Sequence, residues 1–600
     1  MIHLLKKYAD EHLDVEPGFK PKTVKWAVMI GARGKYLGVV ELGDMSQKKN
    51  PGRTFARCPD LSQPELVKLK GCHFLVESTE TAILVTKENE KPAEKALAKH
   101  QFFKSLLKNA SPSISTLGMI VSVLEDAETL LVIKKDLAEK KAKPNEQVTF
   151  AVDDAFPVES EAWHEWWRRF RASISGAVEE KPKEGKRGRK IEAPNEIAGQ
   201  MVDFATGQLV SPASTFPKIS GLSDVGGLGM GDVLAGFDKD SFRSYGLEQS
   251  ANAAMSEQSS TACRDALNHL IRNNSIRLAG AKVVYWFDKE VPNEDNPLSW
   301  LNGWSSDETK KASAESRARE VLESIRSGSQ PDLQDNHYYA LTLSGMSGRV
   351  MTRDWMTGQF EELVENVEAW FKDLSIVHRE GDGPAPSPKF LAVLGATVRE
   401  LDMLTPPFVS KMWRVAVHNE PIPRDAMAKA LARMRVDVMN ANPFNHARMG
   451  LLKAFLIRQG DKTMTPYLNE DHLHPAYHCG RLMAVYASLQ TAALGDVGAG
   501  VVQRFYSAAS ATPALVLGRL SRLGQFHLAK IESKGLSKWF ENRLASIYGR
   551  IKDNPPATIT LTEQSLFALG YYQEMASKGS YMKKGNNNDN NTTNEETNNG

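Results

Sequence analysis

The chain has 600 residues, of which 41% are hydrophobic and 25% are charged. This length exceeds that of one ordinary domain, and the apolar content is sufficient for large buried cores, so we expect roughly two to four domains. The formal net charge of +2 excludes the strong basic excess of a histone-like protein, so any nucleic-acid surface must come from local clusters of Lys and Arg.

The cysteines and the apolar runs indicate the cellular compartment in which the protein is found. The four cysteines are far apart and form no Cys-x-x-Cys pair, which disfavours a disulfide framework or a cysteine-rich zinc site and fits a reducing cytoplasm. Residues 1–10 mix lysines with short apolar runs, and no uninterrupted apolar stretch of about 18 residues follows. We therefore expect a soluble, cytoplasmic protein with no export signal and no membrane partner.

The N-terminal region combines strand and helix patterns. Trp26–Ile30 and Tyr36–Glu41 flank a Gly-rich turn and predict a β-hairpin. Runs at His73–Val76 and Thr81–Lys87 predict a second strand pair, and helical spacing begins at Phe102. The pattern predicts a large mixed α+β region over residues 1–390.

Two segments of this region are unsuited to regular structure. Residues 181–190 read Lys-Pro-Lys-Glu-Gly-Lys-Arg-Gly-Arg-Lys, which is too charged and too broken by Gly and Pro to pack, so we expect a flexible, solvated loop. This loop is either a simple insertion or an arm that contacts phosphates. Residues 221–231 contain five glycines and predict a mobile or unusually shaped loop.

Strand patterns return before the helical part of the chain. Lys282–Phe287 and Tyr338–Leu343 are apolar runs of strand length. A Gly-containing loop then leads to Arg349–Trp355, whose alternation places Arg349 and Arg353 on one strand face. We therefore expect a strand–loop–strand unit with two arginines that can contact nucleic acid.

Strand signals stop beyond about residue 390. Gly, Pro and Asn separate helical segments predicted at Lys411–Val417, Arg424–Met439, Ala447–Arg458, Leu482–Leu494, Val501–Ser510 and Pro513–Ser533. Residues 391–584 are therefore predicted to form an all-helical bundle. Residues 585–600 contain no apolar side chain that could offset the entropy of ordering them, so they predict a disordered tail.

Searches for catalytic motifs give no positive result. The chain has no P-loop, no Gly-x-Ser-x-Gly elbow and only a weak dinucleotide pattern at residues 226–231, so we predict no enzyme activity and no cofactor. His474 and His478 are spaced like zinc ligands, but the Glu of His-Glu-x-x-His is absent, and capping or packing is favoured over metal binding. A metal-dependent nuclease that uses Asp153, Asp154 or these histidines is the alternative hypothesis.

A basic pattern runs through the later helices. Arg519 and Arg522 are three residues apart, and Lys530, Lys534 and Lys538 recur at intervals of four, so each of these two groups is expected to lie on one face of a helix. The opposite, buried side of this amphipathic pattern is expected to consist of Leu515, Leu517, Leu520, Leu523, Phe526, Leu528 and Ile531.

The charge of this face has two interpretations. A solvated helix face is the commoner one, but Glu532 is the only acidic residue between Arg504 and Lys538. A phosphate backbone would relieve the mutual repulsion of the cations by counterion release. We therefore favour a nucleic-acid surface.

A polar segment precedes a helix that begins near Ser256. Short polar side chains on a permissive backbone can approach a groove and hydrogen-bond base edges, and Gln249 and Asn252 are best suited to this role. Arg243 and Ser244 complete the candidate loop. Ser256 is alternatively only the N-cap of the helix.

Distinctive sequence blocks are spread over most of the chain, at 242–246 (Phe-Arg-Ser-Tyr-Gly), 252–256 (Asn-Ala-Ala-Met-Ser), 339–345, 349–355, 474–482 (His-Pro-Ala-Tyr-His-Cys-Gly-Arg-Leu) and 506–513. In these blocks the chain resembles the large-subunit family of subtype I-C CRISPR surveillance (Cascade) complexes. The resemblance implies a subunit without cleavage chemistry that sits at the guide RNA's 5′ end. Such a subunit reads the protospacer-adjacent motif (PAM) duplex, while guide pairing reads the remaining sequence.

The resemblance also implies a set of partners. These are the guide RNA, target double-stranded DNA, the backbone and guide-end subunits, and a helicase-nuclease that the large subunit recruits. The later helices resemble the small subunit of such complexes, which in this family can be produced from an internal start, and Met464 and Met483 are placed where that product could begin. A nucleic-acid-binding protein that acts alone is a third hypothesis.

Overall fold

A computed structural model of the chain describes all residues except 45–49, 62–64, 66–70, 87–91, 177–198, 238, 244, 246, 248, 304–313, 331–332, 440–442, 496, 498–499, 552–553 and 593–600. The predicted basic loop at 181–190 lies outside the described residues.

The chain forms two compact units. The first comprises residues 1–223, 227–273 and 345–350, and the second comprises 224–226, 274–344 and 351–600. The predicted boundary at residue 390 stays a prediction.

Short strands and helices alternate in the first unit. Its strands are β1 (Phe19–Val24), β2 (Trp26–Ile30), β3 (Tyr36–Glu41), β4 (Arg53–Pro59), β5 (Glu77–Ser78), β6 (Gln147–Val152), β7 (Met201–Val202), β8 (Leu209–Val210), β9 (Lys218–Ile219) and β10 (Asp232–Val233). Its helices are α1 (Ile2–His12), α2 (Thr79–Ile83), α3 (Glu94–Ala110), α4 (Ser115–Glu125), α5 (Ala127–Glu139), α6 (His164–Gly176) and α7 (Glu257–Asn273). One sheet has the order β3-β2-β6-β5, and β1 pairs with β4.

The predicted hairpin of the first unit is confirmed, because β2 and β3 pair antiparallel with Val28 opposite Val39. The second predicted strand pair is wrong. Residues 79–83 form helix α2, because the Ser78 side chain accepts a hydrogen bond from the Thr81 N–H and caps the helix. A capping residue at the start of an apolar run thus overrides its strand-like composition.

Aromatic side chains fill the core of the first unit. Phe74, Trp163 and Trp167 are fully buried, and the rings of Phe74 and Trp167 stack with centroids 5.7 Å apart. The Trp167 indole N–H donates to the Gly18 carbonyl at 2.7 Å, so its polar atom is satisfied inside the core. This core fixes α6 against the β1–β4 ribbon.

The second unit joins a sheet to a large set of helices. Its sheet has the order β11-β12-β13-β14, formed by Ser275–Leu278, Ala281–Phe287, His337–Met346 and Arg349–Gln359. Its helices are α8 (Pro297–Asn302), α9 (Ala314–Arg326), α10 (Phe360–Leu374), α11 (Phe390–Gly395), α12 (Pro406–Val417), α13 (Arg424–Asp437), α14 (His446–Arg458), α15 (Pro475–Leu494), α16 (Val501–Ala509), α17 (Pro513–Lys530), α18 (Lys534–Arg550) and α19 (Leu561–Thr592). The first residues of β14 belong to the first unit.

The predicted fold class is confirmed. A mixed α/β region comes first, and within the described residues no strand follows Gln359. The strands predicted at residues 282–287, 338–343 and 349–355 are present, although the connection between the last two is only Ser347 and Gly348. Both residues have positive φ, 51° and 81°, as tight hairpin turns require.

Helices α15 and α19 cross at two glycines. A Cβ atom added to Gly480 would collide with the Phe567 carbonyl, and one added to Gly570 would collide with the Tyr477 carbonyl. The backbones of the two helices are therefore in direct contact, which no residue with a side chain would allow.

The end of the chain continues this helix. Helix α19 extends into the predicted tail, and residues 593–600 lie outside the described residues, so disorder over 585–600 stays a prediction. None of the described helices combines the length and the apolar content needed to cross a membrane.

Candidate nucleic-acid interface

The segment before α7 forms a polar loop, which we call the loop site, with Arg243, Gln249 and Asn252 as its described members. Gln249 begins a short 3-10 turn, Gln249–Ala253, and has a left-handed φ of 45°. The Asn252 side-chain amide donates to the Gln249 carbonyl at 3.0 Å, and the Ser250 hydroxyl donates to the Ala213 carbonyl. Asn252 therefore stabilises the turn, while the Gln249 side chain is exposed.

A buried carboxylate anchors the end of this loop. Asp203 accepts hydrogen bonds from the backbone N–H groups of Ser256, at 2.8 Å, and Ala205, at 2.7 Å. Burial by itself would raise the pKa of Asp203, but these donors outweigh it and lower the pKa. The Ser256 hydroxyl accepts from the Ser259 N–H at 3.0 Å, which confirms Ser256 as the N-cap of α7.

The two strand candidates, Arg349 and Arg353, belong to different compact units. Arg243 is exposed, and Ser244 lies outside the described residues. Arg349 is exposed and is the Cα partner of Val233 in β10, within the first unit. Arg353 lies in the second unit, where its Nε donates to the Ser344 hydroxyl at 2.8 Å.

A cavity of about 940 Å³ lies within the first unit, and both Gln249 and Arg349 line it. Seven Lys or Arg residues line it against four Asp or Glu residues, so its walls carry excess positive charge. Lys218 and Arg272 also line this cavity, although no local sequence pattern identifies them. These two residues are far apart in the chain. They come to the same cavity because β9 pairs with β10 and the residue that follows β9 contacts α7.

Part of the positive charge of the cavity wall is neutralised by ion pairs. Asp60 contacts the Lys20 ammonium at 2.6 Å and the Arg264 guanidinium at 2.7 Å, and Arg264 also contacts Asp265 at 2.7 Å. Burial opposes ionisation of Asp60, but these two cations outweigh it and hold the pKa of Asp60 well below its usual range. These groups support the wall of the cavity and are not available to a ligand.

The second unit carries the basic pattern on two consecutive helices, and we call Arg519, Arg522, Lys530, Lys534 and Lys538 the helical face. All five side chains are exposed. The Arg519 guanidinium lies over the Phe505 ring, 5.4 Å from its centroid, and Lys538 pairs with Glu541 at 3.6 Å. Arg522, Lys530 and Lys534 form no ion pair or side-chain hydrogen bond within the described part of the chain.

The helix predicted at Pro513–Ser533 is present as α17 but ends at Lys530. Ile531 is extended, and the Ser533 hydroxyl caps α18 by accepting from the Leu536 N–H at 3.3 Å. Lys530 is therefore on one helix, and Lys534 and Lys538 are on the next.

The expected buried side of α17 is only partly correct. Leu517, Leu520 and Leu528 are buried, but Leu515 is 77% exposed and Phe526 is 70% exposed. Leu515, Arg519, Arg522 and Phe526 follow the i, i+4, i+7, i+11 spacing and so form one stripe of the helix. The exposed side of α17 thus mixes two cations with apolar side chains.

The histidines before and within α15 have capping and packing roles, as predicted. His474 Nδ1 accepts from the Ala476 N–H at 3.2 Å and caps the helix. His478 Nε2 donates to the His472 carbonyl at 2.7 Å, and its Nδ1 accepts from Arg481 at 3.2 Å. Burial lowers the pKa of His478 to about 4. Within the described residues no three acidic, His or Cys side chains are grouped to hold a metal ion.

Asp153 and Asp154 form a tight turn, as expected of solvated turn residues. Their φ angles are 52° and 63°, and the turn is closed by the bridge between Val152 and Ala155. Both side chains are exposed. This arrangement gives no support to a nuclease site.

Comparison with known protein families finds a match over nearly the whole chain. A family model described as CRISPR-associated protein (Cas_Csd1) matches residues 5–577. The match includes the loop site, the cavity and the helical face. No curated protein matches the chain.

Proposed function

The chain belongs to the Cas_Csd1 family of CRISPR-associated proteins, the large subunits of type I-C surveillance complexes, and we propose that it reads the PAM and stabilises opened target DNA. In this role it recruits the helicase-nuclease and cleaves nothing itself. Its partners are the guide RNA, target double-stranded DNA, the backbone and guide-end subunits, and the small subunit.

The helical face is the observation that carries this proposal. Arg522, Lys530 and Lys534 are exposed like charges with no ionic partner among the described residues. Such charges repel one another at low salt, and a phosphate backbone relieves this repulsion while its condensed counterions are released. The nearby Phe526 ring adds a surface on which an unpaired base can stack. Both properties suit a DNA strand that has been opened.

The test is target-DNA binding by the assembled complex as a function of salt. We expect the double substitution Arg522→Ala, Lys534→Ala to weaken binding and to reduce the slope of log affinity against log salt by about 1 to 2. The matched control is Arg319→Ala, Arg326→Ala, which removes the same charge from arginines paired with Glu368 and Glu365. Unchanged affinity and slope in the first variant would remove the basis of the proposal.

The loop site is proposed to read the PAM duplex. Gln249 offers a donor and an acceptor on one exposed side chain, the combination that pairs with adenine in a major groove. Asn252 positions Gln249 through the hydrogen bond to its carbonyl and is therefore a positioning residue. Arg243 supplies a phosphate contact beside them.

The structure of α15 favours Met464 over Met483 as the start of a separate small subunit. Met483 lies in the middle of α15, so a product that begins there lacks Gly480 and Arg481. It would lose the glycine crossing with α19 and the 2.8 Å bond from Arg481 to Glu574. A product from Met464 retains the whole of α15.

Mass spectrometry of co-expressed subunits tests this choice. We expect a product that begins at Met464 in the wild type and in Met483→Leu, and its loss in Met464→Leu. Loss of the product in Met483→Leu alone would reverse the assignment. The same experiment detects the guide RNA, whose absence from purified complexes would favour a protein that acts alone.

A further inference from the structure

We infer that the cavity of the first unit binds a single unpaired nucleotide, with Lys218, Arg272 and Arg349 around its phosphate. The inference deepens the proposed function, since it rests on nucleic acid as the ligand, but it assigns a site separate from the helical face. A free nucleotide and a nucleotide within a strand share this chemistry, and the experiment below distinguishes them.

Within the first unit, β10 pairs with both β9 and the start of β14, and this pairing brings two of the cations together. Val233 of β10 is the Cα partner of Lys218 in β9 and also of Arg349 in β14. Partners in neighbouring strands are about 5 Å apart and point to the same face of the sheet, so Lys218 and Arg349 flank Val233 about 10 Å apart. All three residues line the cavity. Two cations at this separation can hold one phosphate between them through their long side chains.

Helix α7 supplies the opposing wall. Thr261, Asp265, Asn268 and Arg272 follow the i, i+4, i+7, i+11 spacing, and all four line the cavity. Asn268 Oδ1 accepts from the Ser220 N–H at 2.8 Å, which holds the start of the glycine-rich segment against the helix. Arg272 therefore lies one helical turn after Asn268, the residue through which α7 contacts Ser220.

The cations that line the cavity differ in whether they form ion pairs. Arg171 is paired with Glu257 at 2.6 Å, and Arg264 is held by Asp60 and Asp265. Lys218 and Arg272, in contrast, form no ion pair or side-chain hydrogen bond within the described ranges of the chain. The positive charge of Lys218 and Arg272 is therefore not neutralised by neighbouring carboxylates. The part of the cavity that these two residues line attracts an anion.

The rest of the lining suits a base. The side-chain amide of Asn268 provides a group that hydrogen-bonds base edges, and the half-buried ring of Phe237 provides a face for stacking. The volume of about 940 Å³ exceeds that of one nucleotide and lies within the usual range of ligand sites. An acidic peptide would use the cations but would have no use for the ring, which makes a nucleotide the better fit.

The test uses the full chain with Arg522→Ala and Lys534→Ala, so that the helical face does not contribute. Its ligands are a free nucleoside monophosphate, a short single-stranded oligonucleotide, the same oligonucleotide with its bases removed, and an acidic peptide. We expect the intact oligonucleotide to bind about tenfold more tightly than the abasic one, because stacking and base contacts are lost. Phe237→Ala should reduce that difference, because it removes the stacking contribution.

Charge at the site is tested separately. Lys218→Ala, Arg272→Ala should weaken oligonucleotide binding by about tenfold or more, whereas Lys135→Ala, Arg169→Ala, which removes the same charge from exposed helices of the first unit, should have little effect. Equal binding of the free nucleotide would assign the site to a small ligand, and preference for the acidic peptide would overturn the inference. If the cavity substitutions have no effect while those of the helical face do, this inference fails and the proposed function stands; if neither set has an effect, both fail.

Discussion

The helical face and the loop site place their polar side chains in different ways. On the helical face, Arg522 and Lys534 stand on regular helices without an ionic partner in the described chain. In the loop site, Gln249 adopts a left-handed backbone that Asn252 holds in place, while Asp203 anchors the end of the loop. Unpaired charges on a helix contact any phosphate backbone, whereas a side chain held by its own loop can distinguish base edges. The comparison therefore predicts affinity from the helices and sequence preference from the loop.

The largest expected effect comes from removing the support of the helical face. Gly480→Ala places a Cβ against the Phe567 carbonyl where α15 crosses α19, so the helices must separate. We expect a loss of about 3 kcal/mol in the free energy of unfolding of the helical region, with DNA binding lost in proportion. Urea unfolding followed by far-UV circular dichroism measures this change.

Matched glycines in the same region provide the control. An added Cβ at Gly518 in α17 or at Gly549 in α18 meets nothing within 4 Å. Gly518→Ala and Gly549→Ala should therefore stabilise their helices by about 0.5 to 1 kcal/mol. A similar loss of stability in all three variants would show that the effect is not due to the crossing.

The second prediction separates the two regions by the kind of binding energy that each contributes. Gln249→Ala should reduce the discrimination between PAM sequences by about 2 kcal/mol and leave the salt dependence unchanged. Arg522→Ala should weaken binding to all target sequences equally and reduce the salt slope by about 1. Binding of the complex to a panel of PAM duplexes at several salt concentrations measures both quantities. A sequence-independent effect of Gln249→Ala would contradict the proposed role of the loop site.

The same contrast explains what could be predicted from the sequence. Helix segments such as Arg424–Asp437 and His446–Arg458 were predictable, because apolar spacing and terminal Pro, Gly and Asn residues are local signals. The helix predicted at Pro513–Ser533 ends close to the observed position, but the role of Ser533 as the N-cap of α18 was not predicted, because a single Ser is a weak local signal. The cavity was not predictable, because strand pairing and helix docking place Lys218 and Arg272 in it, and neither is local in the sequence.

The third prediction concerns acid sensitivity of the helices that support the helical face. His478 is buried between the His472 carbonyl and Arg481, and its pKa of about 4 lies below the value near 6.5 in the unfolded chain. The unfolded state therefore binds more protons, and stability is lost as the pH falls from about 6.5 towards 4. We expect this residue to account for a loss of about 2 kcal/mol between about pH 7 and pH 5.

The variant His478→Gln tests the assignment. Its side chain cannot titrate in this range, so its stability should change less with pH than that of the wild type, even if its stability at neutral pH is lower. Urea unfolding at several pH values gives the comparison. An equal pH dependence in both proteins would assign the acid sensitivity to other groups.

The smallest expected effect tests whether the two halves of the helical face depend on separate helices. Ser533→Ala removes the hydroxyl that accepts from the Leu536 N–H, and should cost about 1 kcal/mol of local stability at the start of α18. Amide exchange in the first turn of α18 should then accelerate about fivefold, while α17 should be unaffected. Ser533→Asn retains a cap and should restore slow exchange. Because Lys534 stands in that first turn and Lys530 ends α17, only the contribution of Lys534 to DNA affinity should fall in Ser533→Ala. Faster exchange in both helices would instead show that the two behave as one cooperative segment.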